Sequence, residues 1–347
     1  MFKSRAMKLS SPLHFVDKKF FGGAPMMVAT APQLKWSHVR RMARCRVSTE
    51  SQSTWKWRLL IAYDGSKYSG WQLQPGTLTV QHMIEDALGK VTRCSREQLQ
   101  LAASGRTDAG VHAWGQVAHF VTFHCFEDLE ILHASLNGIL PHDVRIREVS
   151  AVHPDFHARF SAQRKTYKYK AYVAPVMEPF QRSYAYHIRH QLNINAMHAA
   201  ALYFVGKHDF SAFANASNDL SLRPPVREIV QFNVVATGPQ FEFEVEGTGF
   251  LYRQVRNMVG LLIEVGKEVI PPSAVQSVLE SQDRTKLARI ARSAPPNGLY
   301  LMSVLYDESL LVPAAGAPKT SYGRWQQSTT CSRIEKGWAA ATDIAAA

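Results

Sequence analysis

Cysteine is scarce: the 347 residues hold four, Cys45, Cys94, Cys125 and Cys331. No two form a C-x-x-C pair, which excludes a disulfide framework and the common zinc patterns. Reduced thiols are expected, with Cys94 and Cys125 in or near the packed body. No stretch approaches the ~18 to 20 consecutive apolar residues of a membrane span, so no crossing is expected. The sequence has no H-E-x-x-H, no phosphate-binding G-x-x-x-x-G-K-[ST] and no dinucleotide fingerprint. Neither a metal nor a nucleotide cofactor is expected. Acids are rare at the start: residues 1–50 contain only Asp17 and Glu50 against ten Lys and Arg. That leader supplies most of the net charge of +12, and the rest of the chain is mildly basic. Global charge is therefore weak ground for a nucleic-acid partner, and local clustering matters more.

The leader, residues 1–52, is rich in Arg, Lys and Ser and lacks an apolar core with a cleavage site. It reads as a transit peptide for an organelle, chloroplast ahead of mitochondrion. Hydrophobic residues make up 46% of the chain, enough for a sizeable core. The length fits one large or two ordinary domains.

WKWRLLIAY (55–63) alternates in part and ends at the turn-rich DGSKYSG, so it reads as a strand. In TVQHMIEDALGKVT (79–92), Val80, Met83, Ile84, Ala87, Leu88 and Val91 form one apolar helical face. Short strands are expected over 99–104 and 115–123, a helix over 128–140 and a strand over 143–152. The second half repeats this order. Strands are expected over 165–173, 227–237, 241–247 and 298–306, and helices over 194–206 and 249–266, with a short extra helix near 273–280. Each half reads β-α-β-β-α-β, the ferredoxin-like unit. The expected class is α+β, with two such RRM-like units joined in one extended antiparallel sheet around a central RNA-binding cleft. Expected boundaries are 53–155 and 156–307, with a disordered tail over 308–347.

Two stretches carry chemistry. ASGRTDAGVHAWGQVAHF (102–119) puts Arg106, Thr107 and Asp108 between glycines, directly after an expected strand. Glycine brackets suit a tight turn. The carboxylate is either a turn cap or a chemical tool, and as a tool it needs a cation nearby. Arg106, Arg253 and Arg256 are the candidates. FHARFSAQRKTYKYK (156–170) interleaves Arg159, Arg164, Lys165, Lys168 and Lys170 with Phe156, Phe160, Tyr167 and Tyr169, without one acid. Cations meet phosphates and aromatic faces stack on bases, which suits single-stranded or flipped nucleotides. A strand with one solvated basic face has the same composition.

GRTDAGVHA (105–113) resembles the signature of the TruA-type tRNA pseudouridine synthases. The resemblance runs over residues 56 to 306, through YDGSKYSGWQLQP, TVQHMIEDAL, GQVAHF, LNGILPHDVRI, FHARFSAQRKTYKY, KHDFSAF, GTGFLYRQVRNMVG and APPNGLYL, in the family's order. It implies an isomerase that converts uridine to pseudouridine in the tRNA anticodon stem-loop, at positions 38 to 40, as a homodimer and without cofactor or metal. Asp108 is then the catalytic carboxylate, attacking the sugar at C1′ or by a related path. Arg256 pairs with it. Arg106 fills the space of the flipped uridine, Tyr167 stacks on the base and helps remove the C5 proton, and Leu299 packs on the base's other side. The sequence departs from the family at Gln254-Val255-Arg256, often Met-Val-Arg elsewhere, and at RPPVREI (223–229). The leader and tail imply a eukaryotic organelle form. A catalytically inactive RNA-binding protein of the same fold is the alternative. A glycosidic hydrolase would need a second carboxylate, and the motif has none beside Asp108.

Overall fold

The structure, a computed structural model, describes residues 54–215 and 224–323. The leader, the end of the tail and part of RPPVREI lie outside the described residues.

Alternation builds the sheet. In β1 (Trp55–Tyr63), Trp57, Leu59, Ile61 and Tyr63 are buried, and the residues between them are half-buried. The other strands are β2 (Ala102–Ala103), β3 (His112–Thr122), β4 (Val144–Ala151), β5 (Ala162–Val173), β6 (Tyr186–Ile188), β7 (Gly206–Asp209), β8 (Val226–Thr237), β9 (Gln240–Gly247) and β10 (Leu299–Tyr306). All ten form one sheet with the order β4-β1-β3-β10-β5-β9-β8-β7, β2 pairing with β3 and β6 with β5. Pairing is antiparallel except at β3–β10 and β5–β6. The fold is mixed α+β around one large, mostly antiparallel sheet. In β4-β1-β3-β2 and again in β10-β5-β9-β8, the fourth strand lies beside the first, then the third, then the second.

The helices are α1 (Val80–Thr92), α2 (Arg96–Leu99), α3 (Leu129–Ile139), α4 (Ile194–Leu202), α5 (Gln254–Gly266), α6 (Ala274–Ser281), α7 (Arg284–Ile290) and α8 (Glu308–Leu311). Thr79 caps α1, and Ile84, Ala87 and Leu88 on its inner face are fully buried. α5 is buried almost all round. Cys94 and Cys125 are not disulfide-bonded and pack against the core.

Four expectations change. The stretch 99–104 is not one strand: a capping box of Ser95 and Gln98 turns Arg96–Leu99 into a helix, and only Ala102 and Ala103 pair with β3. The helix expected over 249–266 starts at Gln254, because Arg253 is left-handed at φ 61°. The helix expected over 194–206 ends at Leu202. The described part of the expected tail, 308–323, holds local structure: α8 follows Asp307 at once, and Ser321 exchanges two backbone hydrogen bonds of 2.9 Å with Val149 of β4.

The two halves meet where β3 and β10 run parallel for two pairs, His112 with Tyr300 and Ala113 with Leu301. Gly115 allows the approach, since a Cβ there would lie 2.1 Å from the Met302 carbonyl oxygen. His112 closes the seam. Its ring stacks on Tyr300 at 4.7 Å, Nδ1 accepts the Gly65 N–H at 3.1 Å, and Nε2 donates to the Ser183 carbonyl at 2.9 Å. Burial pushes its pKa down, which suits this neutral tautomer.

Candidate active site

The loop between β2 and β3 carries Arg106, Thr107 and Asp108, and it is fixed from several sides. Ser104 N–H donates to the Val117 carbonyl at 2.7 Å, and its hydroxyl donates to Gln116 Oε1 at 2.7 Å. Gln116 Nε2 returns a bond to the Gly105 carbonyl at 2.9 Å. Thr107 Oγ1 lies 2.8 Å from the Tyr63 hydroxyl. Lys165 Nζ reaches across from β5 and donates to the Ser104 carbonyl at 2.6 Å. Burial and the charge of Arg159 lower its pKa from 10.5 to about 8.

The turn DGSKYSG buttresses the loop from beneath. Trp71 N–H donates to the Thr107 carbonyl at 3.1 Å, and Gly110 N–H donates to the Tyr68 carbonyl at 3.3 Å. A Cβ on Gly70 would lie 2.5 Å from the Thr107 carbonyl oxygen, and φ there is +90°. A Cβ on Gly65 would sit 1.9 Å from the Val111 carbonyl oxygen. Two backbones touch here, and only glycine permits it.

Asp108 projects from this braced loop toward the start of α5. Arg256 Nη1 donates to Asp108 Oδ2 at 2.9 Å, and Arg256 Nε donates to the Ala294 carbonyl at 2.8 Å. The Arg256 side chain is 9% exposed, whereas the Asp108 side chain keeps 18% of its surface open. A buried fork therefore holds a carboxylate that remains reachable. Arg253 Nε stands 4.0 Å from the same oxygen. Tyr167 lies within electrostatic reach: burial first, then the charges of Tyr63 and Asp108, push its hydroxyl pKa well up. Its ring meets Phe250 edge-on at 5.1 Å.

Asp108, Arg256, Arg253 and Tyr167 thus converge. Leu299 is buried on β10 opposite Tyr169, while its strand neighbour Leu301 pairs with Tyr167. Arg106 is exposed on the loop's rim and makes its own interactions there. Among the described residues no group of three His, Cys, Asp or Glu could hold a metal. Sequence reasoning did not single out Lys165 as a brace of this loop, nor the glycines Gly65 and Gly70. Two glycines in seven residues, beside a strand end, were the available signal.

A family model described as tRNA pseudouridine synthase matches residues 59–161 and 200–307. The chain belongs to the tRNA pseudouridine synthase family. It is 42% identical over 252 residues to tRNA pseudouridine synthase A 1 of Protochlamydia amoebophila, covering 72% of this chain and 96% of that protein. It is 43% identical over 250 residues to tRNA pseudouridine synthase A of Chlamydia muridarum, covering 72% and 91%. It is 40% identical over 247 residues to tRNA pseudouridine synthase A of Bacillus subtilis, covering 71% and 97%. The enzymes of this family are isomerases that act on tRNA. No helix among the described residues is long and apolar enough to cross a membrane.

Proposed function

We propose that the chain isomerises uridines of the tRNA anticodon stem-loop to pseudouridine, at positions 38 to 40, with Asp108 as the catalytic carboxylate. The observation that carries this reading is the Asp108–Arg256 pair: an open carboxylate held by a buried guanidinium on a braced loop. The reaction breaks the N1–C1′ bond of uridine and forms a C5–C1′ bond. Nothing is gained or lost overall, because the proton leaving C5 is balanced by one taken up at N1. A carboxylate facing C1′ stabilises the oxocarbenium-like sugar or bonds to it, as in retaining glycoside hydrolysis. Arg256 keeps the carboxylate ionised and aimed. Tyr167 lies against the flipped base and assists removal of the C5 proton. Leu299 packs on the far side of the base, and Arg106 enters the space that the uridine leaves.

The repeated strand order supports reading residues 53–155 and 156–307 as two ferredoxin-like units, with RNA in the cleft between them. A homodimer and import into an organelle, chloroplast before mitochondrion, belong to the same proposal. The second is supported by the basic, acid-poor residues 1–50. Sedimentation of the purified protein and the destination of a leader–reporter fusion test these two points.

Tritium release from 5-tritiated uridine in unmodified tRNA tests the activity. Release without added cofactor, lost in Asp108→Asn, is the expected result. Bound tRNA with no release would overturn the isomerase reading in favour of a binding protein.

A further inference from the structure

Four buried side-chain atoms have no hydrogen-bond partner among the described residues: Arg253 Nε, Gln254 Nε2, Arg284 Nη1 and Ser293 Oγ. All four can donate, and Arg253 and Gln254 stand at the start of α5. Gln254 follows Arg253 directly. The charge of Arg253 acts on Arg284, whose helix α7 packs against α5. Ser293 precedes Ala294, whose carbonyl receives Arg256. Buried donors without partners are rare, because each costs about 1–3 kcal/mol. Two of them, Arg253 Nε and Gln254 Nε2, belong to adjacent residues at the start of α5 and lack an acceptor there.

The acceptor has a definite chemistry. α5 is thirteen residues long, and no side chain caps its N-terminus. Uncapped helix starts favour anions. Gln254 is 1% exposed; its Oε1 accepts the Leu251 N–H at 2.8 Å, which leaves the amide nitrogen to give. Arg253 and Arg284 are like charges within electrostatic reach of each other, and burial first, then the Arg253 charge, lower the Arg284 pKa. Asp108 offsets them only in part: its carboxylate is shared, at 2.9 Å from Arg256 Nη1 and 4.0 Å from Arg253 Nε. Arg253 also holds a left-handed backbone, a conformation uncommon outside glycine, and its Nε lies 4.0 Å from Asp108.

We infer that Arg253 and Arg284, with the start of α5, form a clamp for one backbone phosphate of the RNA beside the target uridine. The inference rests on the RNA-modifying activity proposed above. Two guanidiniums match the tetrahedral oxygens of a phosphate diester, and the negative charge of the diester offsets their repulsion. A phosphate gripped next to Asp108 anchors the nucleotide's sugar while its base is out of the stack. The clamp supplies binding and register, and Asp108 supplies the chemistry.

The test uses the full chain, an anticodon stem-loop RNA, and the variants Arg284→Gln and Arg253→Asn, the latter because Asn tolerates a left-handed backbone. Affinity is measured across a salt series. Loss of one phosphate contact lowers the slope of log K against log salt by about 1. A purely structural role would leave that slope unchanged. Next, RNAs carrying a neutral methylphosphonate at single positions around the target are compared. One position is expected to weaken wild-type binding roughly tenfold, the scale of one lost charged hydrogen-bond pair, and to add nothing in Arg284→Gln. Unchanged salt slopes, or additive losses at every position, would overturn the clamp. Wild-type tritium release is run beside these assays. If it is present while the clamp fails, only this inference falls; if it is absent, the activity itself falls.

Discussion

Arg256 and Asp108 stand 148 positions apart in sequence and 2.9 Å apart in space. The pair joins the two halves of the sheet at the proposed reaction centre. It lies where the β2–β3 loop of one half faces the first turn of α5 in the other. Asp108→Asn keeps the volume of the side chain and removes its charge. Turnover is expected to vanish, with thermal unfolding and tRNA affinity close to wild type. A wild-type single-turnover rate in this variant would end the nucleophile assignment.

Arg256→Met retains much of the packing volume and removes the fork. It leaves Asp108 without its 2.9 Å partner and the Ala294 carbonyl without its donor. A buried pair broken on one side loses both stability and aim. The single-turnover rate is expected to fall by at least about a hundredfold, roughly 2.7 kcal/mol of barrier. The variant is also expected to unfold at lower temperature. Arg256→Lys keeps the charge but not the two-pronged geometry, so it should recover only part of the rate. Equal rates in the Lys variant and wild type would show that charge alone suffices.

The fold was legible where a period survives in the residues. β1 and α1 match their expected spans because alternation in WKWRLLIAY and the Val80–Ile84–Leu88 face each demand one structure. α2 was missed because four residues carry no period, and its cause is a polar capping box. The start of α5 was missed because the left-handed Arg253 has no signature in a non-glycine residue. The join of the two halves was invisible as well: it rests on two residue pairs and on the missing Cβ of Gly115. Asp108 stood out through its glycines, but spacing alone left three candidate arginines. The resemblance singled out Arg256, and the geometry then set it against Asp108. Lys165 lay hidden among other lysines of a basic strand, because only the folded chain puts it against the Ser104 carbonyl.

Gly70 separates the bracing turn from the Asp108 loop by the width of a missing methyl group. Gly70→Ala places a Cβ 2.5 Å from the Thr107 carbonyl oxygen at a φ of +90°. The loop must shift or the backbone must strain, at a cost of about 1–3 kcal/mol. Because the displaced backbone belongs to Thr107 and Asp108, kcat is expected to fall more than KM rises. Steady-state kinetics and thermal unfolding on the same sample check this. A stable Gly70→Ala protein with wild-type kcat would separate the turn from the chemistry.

Tyr167 is 8% exposed, and its hydroxyl stays protonated at neutral pH, because burial and the nearby Asp108 charge both raise its pKa. Tyr167→Phe keeps the stacking face and removes the hydroxyl. Because the hydroxyl starts protonated, it can take the C5 proton only by passing its own on, and loss of that relay is expected to lower the single-turnover rate constant by about ten- to a hundredfold. The affinity for tRNA should change less than threefold, roughly 0.6 kcal/mol. An unchanged rate constant would assign Tyr167 to stacking alone.

Lys165 links the loop to pH. Its pKa falls from 10.5 to about 8 on folding, chiefly by burial, with Arg159 adding repulsion. The unfolded chain therefore binds the proton more tightly than the folded one. Below pH 8 both states hold it, and folding bears the full penalty of burying the charge, about 3 kcal/mol. Between about pH 8 and 10.5 the folded state sheds the proton first, so this contribution favours folding increasingly as pH rises. Lys165→Met removes both the penalty and the 2.6 Å bond to Ser104. The difference in unfolding free energy between Lys165→Met and wild type is therefore expected to shrink as pH climbs through that window. At pH 7 the variant should gain from the lost penalty and still turn over more slowly, since its loop has lost a brace. A guanidinium at this position would stay charged throughout, so Lys165→Arg serves as the control with a flat profile. A difference that does not vary between pH 7 and 10 would mean that the amine folds as a solvated cation, and its grip on the Asp108 loop would have to be explained without burial.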